Sequence, residues 1–249
     1  MTYCVGILLN DGLVMISDTR TNAGVDNIAS FRKLHIFETP GDRVLALASS
    51  GNLSITQSVI SMLTEGVPGT GTPDKPMVIS EAPSMFEAAQ LVGKAIREVH
   101  RVDAHSLEDH KMGFDVSMLL GGQIKGRRLR LFMLYSAGNF IEATPDTPFL
   151  QIGEHKYGKP ILDRAINPST DLYDALKIGL ISMDSTMRSN LAVGLPLDVM
   201  IMRRDECKTE LVYRIEADDR YFEDLRHRWS EALRETHLAI PRPPYNPNA

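Results

Sequence analysis

Three residues near the N-terminus have the types and spacing for N-terminal nucleophile chemistry. Thr2 follows Met1, Asp18 ends the run LVMISD, and Lys33 precedes the run LHIF. A threonine hydroxyl needs a base to take its proton, and the α-amine of an N-terminal threonine can be that base, since its reference pKa is about 7.7–8.0. A nearby lysine would lower the pKa of the amine, and a carboxylate would hold the lysine. We therefore expect removal of Met1 to create a nucleophile that carries its own base.

Two apolar, strand-like runs are predicted to place Asp18 beside the first strand. Tyr3–Leu9 and Leu13–Asp18 are joined by Asn10-Asp11-Gly12, a strong hairpin signal. A polar, turn-rich stretch follows, and Lys33 then opens a short strand predicted at Leu34–Phe37. An aspartate at a strand end is usually a turn residue, and a lysine is usually solvated. Neither residue therefore indicates a catalytic site unless it is considered together with Thr2.

The rest of the chain alternates between blocks of strands and blocks of helices. Further strands are predicted at Arg43–Ser49, Phe114–Gly121, Arg130–Tyr135, Phe140–Ala143, Leu197–Met202 and Glu210–Arg214. Helices are predicted at Leu53–Leu63, Met85–Val99, Gly158–Arg164, Asp171–Met187 and Asp218–His237. Segregated blocks indicate an α+β fold, with two sheets face to face and helices on both outer sides. We predict one domain over residues 1–249, ending in a proline-rich tail at 239–249.

Two other segments could suggest ligand sites, and we predict a ligand at neither. GVPGTGTPDKP is a loop by composition, and its GTG lacks the Gly-Lys-Ser/Thr of a phosphate-binding loop. His100, His105 and His110 recur at five-residue steps, which is not a helical neighbour spacing, and no cysteine or carboxylate cluster completes a metal site. We therefore expect neither a metal ion nor a cofactor.

Composition points to the cytoplasm and away from several classes of partner. The net charge of -5 gives no general attraction to nucleic acid or anionic membranes. No apolar run approaches the roughly 20 residues that span a bilayer, and CVGILL is short and lacks preceding basic residues, unlike a signal peptide. The two cysteines, at no metal-like spacing, fit a reducing compartment.

In combination, these motifs resemble the proteasome β-subunit superfamily of N-terminal nucleophile hydrolases. The shared features are the Thr start, the hairpin ending in Asp, the Lys before the next strand, the strand ALASSG and the helix pair after it. Within the superfamily, MTYCVG, SDTRTNAGVDNIASFRK and IGEHKYGKPILDR resemble the Anbu family of bacterial proteasome-related subunits, over nearly the whole chain. The resemblance implies a four-layer αββα sandwich, hydrolysis of peptides or other amides, and a ring-like or helical homo-oligomer. It does not indicate an unfoldase partner.

The resemblance also implies a role for individual residues. Thr2 would be nucleophile and base, with Lys33 tuning it and Asp18 pairing with Lys33. A backbone amide at Ser49, or at its neighbours Ser50 and Gly51, would form the oxyanion hole. Ser189 is the best match to the serine of the family's late Asp-x-x-Ser-Gly motif, with Asp184 displaced by two residues from the usual aspartate spacing. The pocket for the residue before the cleaved bond would lie near Arg20, Ser49 and Leu53.

One departure from the family pattern leaves the activity open. Gly153-Glu154-His155 stands where catalytic proteasome subunits have Gly-Ser-Gly, so the carboxylate of Glu154 replaces a hydroxyl close to the nucleophile. Its charge would oppose alkoxide formation unless Lys156 or Arg188 offsets it. Two alternatives therefore stand beside peptide hydrolysis: a proteasome-like scaffold with little or no activity, and an amidase for a non-peptide substrate.

Overall fold

Two five-stranded antiparallel sheets form the centre of the protein in the computed structural model, which describes residues 2–22, 28–72, 75–109 and 113–245. The first sheet contains, in spatial order, Phe149–Gly153 (β12), Tyr3–Leu8 (β1), Gly12–Asp18 (β2), Leu197–Arg203 (β13) and Thr209–Ile215 (β14). The second contains Phe140–Glu142 (β11), Arg130–Leu134 (β10), Val116–Ile124 (β9), Arg43–Gly51 (β6) and Leu34–Thr39 (β5). Two short pairs lie outside them: Arg20–Asn22 (β3) with Ile28–Ser30 (β4), and Val67–Thr72 (β7) with Lys75–Met77 (β8).

Helices cover the outer face of each sheet. They are Leu53–Glu65 (α1), Met85–Asp109 (α2), Lys159–Ala165 (α3), Leu172–Ser189 (α4) and Arg220–Ala239 (α5), and a 3-10 turn lies at Ile79–Glu81. One hydrophobic cluster joins α1 and α2 to the second sheet, and another joins α3, α4 and α5 to the first. A third cluster fills the space between the sheets. The predicted four-layer αββα sandwich of the α+β class is therefore confirmed.

Burial of both sheet faces explains why the core strands are continuous apolar runs. In β6, Leu45 and Leu47 pack towards α1 and α2, whereas Ala46 and Ala48 face the other sheet. A strand covered on both sides has no solvent-facing position that favours a polar residue. The N-terminal strands β1 and β2 follow the same rule, which places Thr2 at the end of a buried hairpin.

The structure differs from the sequence-based prediction in three further segments, besides β3 and β4, which lie in the stretch predicted to be turn-rich. Phe149–Gly153, to which we assigned no element, is an edge strand paired with β1. The predicted loop GVPGTGTPDKP instead contains β7 and β8, because its glycines adopt positive φ and the Thr70 hydroxyl accepts the Met77 N–H at 3.0 Å. The second helix continues ten residues past Val99 to Asp109, since its polar end keeps helical hydrogen bonding after the apolar stripe has ended.

The C-terminal residues follow the prediction as far as they are described. Helix α5 ends at Ala239, and residues 241–245 form no regular helix or strand, as their prolines require. Residues 246–249 lie outside the described part of the chain. Among the helices of the described ranges, none combines the length and apolar character needed to cross a bilayer.

Candidate active site

A buried ion pair joins β2 to the residue that precedes β5. The Lys33 ammonium lies 2.9 Å from Asp18 Oδ1 and also donates to the Arg20 carbonyl at 2.6 Å. The side chains of Lys33 and Asp18 are 6% and 0% exposed. Asp18 Oδ1 also accepts the backbone N–H of Tyr3 at 3.0 Å, so the carboxylate is tied to the residue that follows Thr2. The structure thus brings Thr2, Asp18 and Lys33 together at the end of the N-terminal hairpin.

The protonation of Asp18 reflects two opposing influences. Burial is the larger and raises the pKa of this carboxyl above its ordinary value. The Lys33 ammonium, and the backbone N–H groups of Tyr3 and Gly194, act in the opposite direction by stabilising the anion. Lys33 is therefore the strongest of the groups that favour the charged form of this carboxyl.

Thr2 is itself buried, and its backbone is bound by the residue that follows β12. It is 7% exposed, and its carbonyl accepts the Glu154 N–H at 2.7 Å. This approach requires a glycine at 153, because Gly153 has φ +80° and a Cβ there would lie 2.0 Å from the Thr2 oxygen. The Gly-Glu-His segment is therefore a backbone clamp on the candidate nucleophile.

A chain of buried hydrogen bonds fixes Tyr3, which sequence reasoning did not identify. Gln151 donates to the Tyr3 hydroxyl, which donates to Ser182 Oγ at 2.7 Å, and Ser182 donates to the Gly158 carbonyl at 3.0 Å. Burial raises the pKa of Tyr3 to about 12, so the phenol stays protonated. The sequence offered only a tyrosine next to Thr2 as a signal, since the two partners of its hydroxyl come from distant elements, β12 and α4.

Cys4, two residues after Thr2, is not a competing nucleophile. Burial raises the pKa of its thiol far above the ordinary range, and its sulfur lies 3.7 Å from the Ser49 carbonyl oxygen. Only the thiolate of a cysteine is strongly nucleophilic. Its burial and raised pKa therefore make Cys4 a poor candidate for the nucleophile.

The predicted oxyanion strand lies beside the ion pair. The Ser49 N–H already donates to the Lys33 carbonyl at 3.1 Å, so this amide is occupied. Strand alternation turns the next N–H, of Ser50, towards β9, and the Gly51 N–H returns to the side of Ser49. The amide of Gly51 is therefore the better placed of the two remaining candidates.

A cavity of about 390 Å³ opens next to Ser49. Its walls come from β5, β6 and α1 and the residues just before β5, namely Phe31, Arg32, His35, Ser49, Leu53, Thr56, Gln57, Ile60 and Ser61. Two of the three residues expected to line a substrate pocket, Ser49 and Leu53, are among them. Arg20 does not line this cavity, because its side chain donates to the Leu191 carbonyl at 3.0 Å, although its own carbonyl accepts from Lys33.

Ser189 is exposed at the end of α4, close to the Glu154 segment. The next residue, Asn190, donates to the Glu154 carboxylate at 3.4 Å, which joins the end of α4 to the clamp on Thr2. Asn190 is a residue that sequence reasoning missed. Arg188, proposed as a counter-charge for Glu154, binds Asp184 and Ser230 instead, and Lys156 is exposed.

Asp184 lies outside this arrangement. Its two oxygens bind Arg188 at 3.0 Å and Arg226 at 2.6 Å, and it makes no hydrogen bond or ion pair with Thr2, Asp18 or Lys33. The aspartate therefore connects α4 to α5. The sequence predicted a supporting catalytic role for Asp184 from its spacing to Ser189. Its contact with Arg226, 42 residues away, could not be seen in a local pattern.

No cluster of three or more potential metal ligands occurs within the described ranges. Of the three regularly spaced histidines, the structure describes the side chain of His100. His100 packs edge-on against Phe114 with ring centroids 4.7 Å apart. His110 lies outside the described residues, and the side chain of His105 is not described.

The whole architecture matches solved structures over nearly the full chain. A structure of Anbu (ancestral beta-subunit) from Yersinia bercovieri is 49% identical with a TM-score of 0.88, covering 98% of this chain and 99% of that one. A mutant Anbu from Hyphomicrobium sp. strain MC1 is 48% identical with a TM-score of 0.88, covering 97% and 99%. A helical assembly of the Anbu complex from Pseudomonas aeruginosa is 46% identical with a TM-score of 0.90, covering 98% and 100%.

Two other comparisons found nothing: no protein-family model and no curated protein matches this chain. The structural matches are sufficient, because near-half identity along almost the entire length accompanies the same fold. The chain belongs to the Anbu family of proteasome-related subunits.

Proposed function

We propose that this protein is a threonine-type N-terminal nucleophile hydrolase that cleaves amide bonds in peptides, after Met1 has been removed. The observation that supports this most directly is the buried Lys33–Asp18 pair, bonded to the amide of the residue after Thr2. This bond places the charged pair one residue from the candidate nucleophile, which a purely structural pair would not need.

The proposed reaction begins with proton transfer within one residue. The free α-amine of Thr2 takes the proton of the Thr2 hydroxyl as Oγ attacks the amide carbonyl carbon. The tetrahedral intermediate collapses when the C–N bond breaks and the amine leaving group receives that proton. The same amine then deprotonates a water molecule, which attacks the ester carbonyl carbon. The C–Oγ bond breaks, the amine returns the proton to Thr2 Oγ, and the acid is released.

Lys33 supplies positive potential, and Asp18 holds it in place. A cation near the Thr2 amine lowers the pKa of that amine and stabilises a developing alkoxide. Because the pair is buried, its field is screened less by water than that of a surface pair. A backbone N–H between residues 49 and 51, best the Gly51 amide, would stabilise the oxyanion, a contribution of about 3–4 kcal/mol in well-studied hydrolases.

The cavity beside Ser49 is the proposed site for the substrate side chain before the cleaved bond. Phe31, Leu53 and Ile60 give it apolar walls, and Thr56, Gln57 and Ser61 add hydrogen-bonding groups. Its volume of about 390 Å³ falls within the usual range for a small-ligand pocket. A mid-sized side chain fits these dimensions.

A second candidate function, a scaffold with little or no activity, is favoured by Glu154. Its N–H binds the Thr2 carbonyl, so the carboxylate belongs to a residue in direct contact with the candidate nucleophile. A negative charge there raises the pKa of the amine and opposes the alkoxide. Asn190 is a neutral partner and does not cancel that charge.

We further propose that the protein self-associates into a homo-oligomer and acts in the cytoplasm. The Pseudomonas aeruginosa relative is described as a helical assembly, and this chain shares its fold over nearly its whole length. Both cysteines are free and buried, which fits a reducing compartment.

Covalent labelling tests the proposed chemistry. The full-length protein is incubated with a threonine-directed β-lactone or peptide epoxyketone and analysed by intact mass and peptide mapping. We expect loss of Met1 and one adduct on Thr2, and no adduct in Thr2→Ala. Loss of Met1 without an adduct would support the scaffold, whereas an adduct without cleavage of any peptide in a library would indicate a non-peptide amide substrate.

A further inference from the structure

The cavity beside Ser49 is basic in a protein whose net charge is negative. Its described lining residues include the guanidinium of Arg32 and the imidazole of His35 but no carboxylate. The other walls are apolar or carry neutral hydroxyl and amide groups. Because the whole chain has a net charge of -5, the excess of basic groups is a local property of this cavity.

Strand alternation explains how a basic residue of β5 reaches this cavity. Leu34 and Ile36 pack into the cluster between the two sheets, whereas Phe37 packs towards α1 and α2. Successive side chains of a strand point to opposite faces, so His35 lies on the same face as Phe37. By the same rule Ser49 lies on the helix-facing side of β6. Both side chains therefore line the space beneath α1.

The ion pair that Arg32 makes within the chain leaves its hydrogen-bonding capacity unused. Its Nε lies 3.8 Å from Asp198 Oδ2, which is longer than a hydrogen bond. Both oxygens of Asp198 are already bound by Arg214, at 2.7 Å and 2.9 Å. The Arg32 side chain is 63% exposed and makes no hydrogen bond to the described residues. Its planar fork of N–H donors can therefore bind a further carboxylate.

The charge of Arg32 acts inside the cavity. Burial, and then the positive charge of Arg32, lower the pKa of His35 below its ordinary value, although hydrogen bonding to the Arg32 backbone and the charge of Asp198 oppose this. A cation that acts on the ring of His35 also acts on a group bound beside that ring. Because the imidazole is neutral at neutral pH, Arg32 is the one permanent cation among the described lining residues.

These features favour an acidic substrate side chain over a neutral or basic one. A substrate carboxylate would pair with the Arg32 guanidinium through charge-assisted hydrogen bonds, while its methylene groups contact Leu53 and Ile60. An ammonium or guanidinium of the substrate would meet a like charge and no acidic partner. An apolar side chain would contact the apolar walls but gain nothing from Arg32.

We propose that Arg32 makes this protein select peptides with an acidic residue, Asp or Glu, on the acyl side of the cleaved bond. The proposal rests on the hydrolase function proposed above and adds its substrate class. Arg32 and Lys33 are adjacent cations with separate partners. The ammonium of Lys33 binds Asp18, and the guanidinium of Arg32 binds the substrate side chain. Arg32 thus determines specificity and contacts none of the reacting atoms.

A matched set of reactive peptides tests the preference. Peptide epoxyketones that differ only in the residue next to the reactive group (Glu, Gln, Leu or Lys) are incubated with full-length protein that lacks Met1. The labelling rate at Thr2 is followed by intact mass. Glu and Gln have nearly the same shape, so the ratio of their rates isolates the effect of charge. We expect the Glu probe to label about tenfold faster than the Gln probe or more, and the Lys probe to be slowest.

Substitutions at Arg32 supply the second measurement. Arg32→Met should bring the ratio of the Glu and Gln rates to about one. Arg32→Glu should invert the order, so that the Lys probe labels fastest. Arg127→Glu makes the same change of charge in the exposed turn after β9, at the opposite end of the strands from Ser49, and should keep the wild-type order. Circular dichroism verifies that each variant folds, and Arg32→Met alone tests the proposal if Arg32→Glu does not.

The outcomes separate this preference from the proposed function. Equal labelling by the Glu and Gln probes in wild-type protein would overturn the acidic preference and leave the hydrolase standing. An unchanged ratio in folded Arg32→Met would do the same for the role of Arg32. Failure of every probe to label Thr2 would overturn the proposed function, and the preference with it.

Discussion

Two buried aspartates of this protein bind cations, yet they lie in different kinds of surroundings. Asp18 and Asp184 both have fully buried side chains. Asp18 holds one lysine, itself 6% exposed, and the backbone of the residue after Thr2. Asp184 holds Arg188 and Arg226, which are 53% and 36% exposed and belong to two packed helices.

The two sites differ in how far solvent screens the charge of the cations. The arginines of the Asp184 cluster extend to the surface and connect α4 with α5, so their charge is largely screened by solvent. Lys33 is enclosed, and besides Asp18 and the Arg20 carbonyl its field acts on the end of the hairpin where Thr2 lies. A buried ion pair by itself is weak support for catalysis. Its position beside a candidate nucleophile is what favours a catalytic role.

The largest effect should come from removing the enclosed cation. Lys33→Met keeps the unbranched apolar stem of the side chain but removes its charge. We expect the labelling rate at Thr2 to fall by about 10²–10⁴-fold, as for loss of a group that assists proton transfer. Labelling kinetics followed by intact mass measure this. The variant also leaves Asp18 unpaired, which costs about 3–5 kcal/mol of stability, so rates must be taken well below its melting temperature. An unchanged rate in folded protein would remove Lys33 from the mechanism.

Asp18→Asn should have a smaller effect, because its amide oxygen can still accept the Tyr3 N–H. We expect a fall in labelling rate of about 10–100-fold, since Lys33 loses its anchor but not its charge. A stability measurement adds a pH signature. The folded-state pKa of Asp18 is raised, so between the ordinary value and the raised one the native state binds more protons, and wild-type stability falls as pH rises through that window.

Asp18→Asn should lack the pH dependence of the unfolding free energy that the Asp18 carboxyl contributes. Chemical denaturation of both proteins at several pH values measures this difference. Identical pH dependence in the two proteins would contradict the raised pKa. The labelling result and the stability result are separable, because the slope concerns folding and the labelling rate concerns the reaction.

Arg226→Met makes the same type of change at the other aspartate and should affect only stability. We expect the free energy of unfolding to fall by about 1–2 kcal/mol, because Arg188 still binds Asp184 and solvent reaches the site. Labelling of Thr2 should keep its wild-type rate. A rate loss like that of Lys33→Met would instead connect the α4–α5 cluster to the reaction and restore a supporting role for Asp184.

Sequence patterns predicted this fold to the extent that local signals encode it. Hairpin residues Asn10-Asp11-Gly12 and apolar strands such as β6 indicate the two sheets directly. The pairing of Asp18 with Lys33, 15 residues apart, was implied by the resemblance to a known superfamily and not by local pattern. The edge strand Phe149–Gly153 escaped prediction because its strand character depends on β1, more than 140 residues away. Separation along the chain also hid the partners of Tyr3, which lie 148 and 179 residues away, and the Arg226 contact of Asp184, which spans 42 residues. Long-range packing leaves no trace in a local pattern.

The smallest expected effect comes from a substitution at Glu154, whose negative charge is the reason for considering a scaffold instead of an enzyme. Glu154→Gln keeps the backbone N–H bond to the Thr2 carbonyl and removes one negative charge near the amine. One unit charge a few ångströms away in a water-like dielectric is worth about 1 kcal/mol or less, so the pKa of the Thr2 amine should fall by at most about 0.7 units. More of the amine is then neutral at a given pH, and the pH–rate profile for labelling should move to lower pH with a faster rate at pH 6.5. A profile that does not move would mean that Glu154 leaves the nucleophile unaffected, and the scaffold alternative would lose the observation that motivates it.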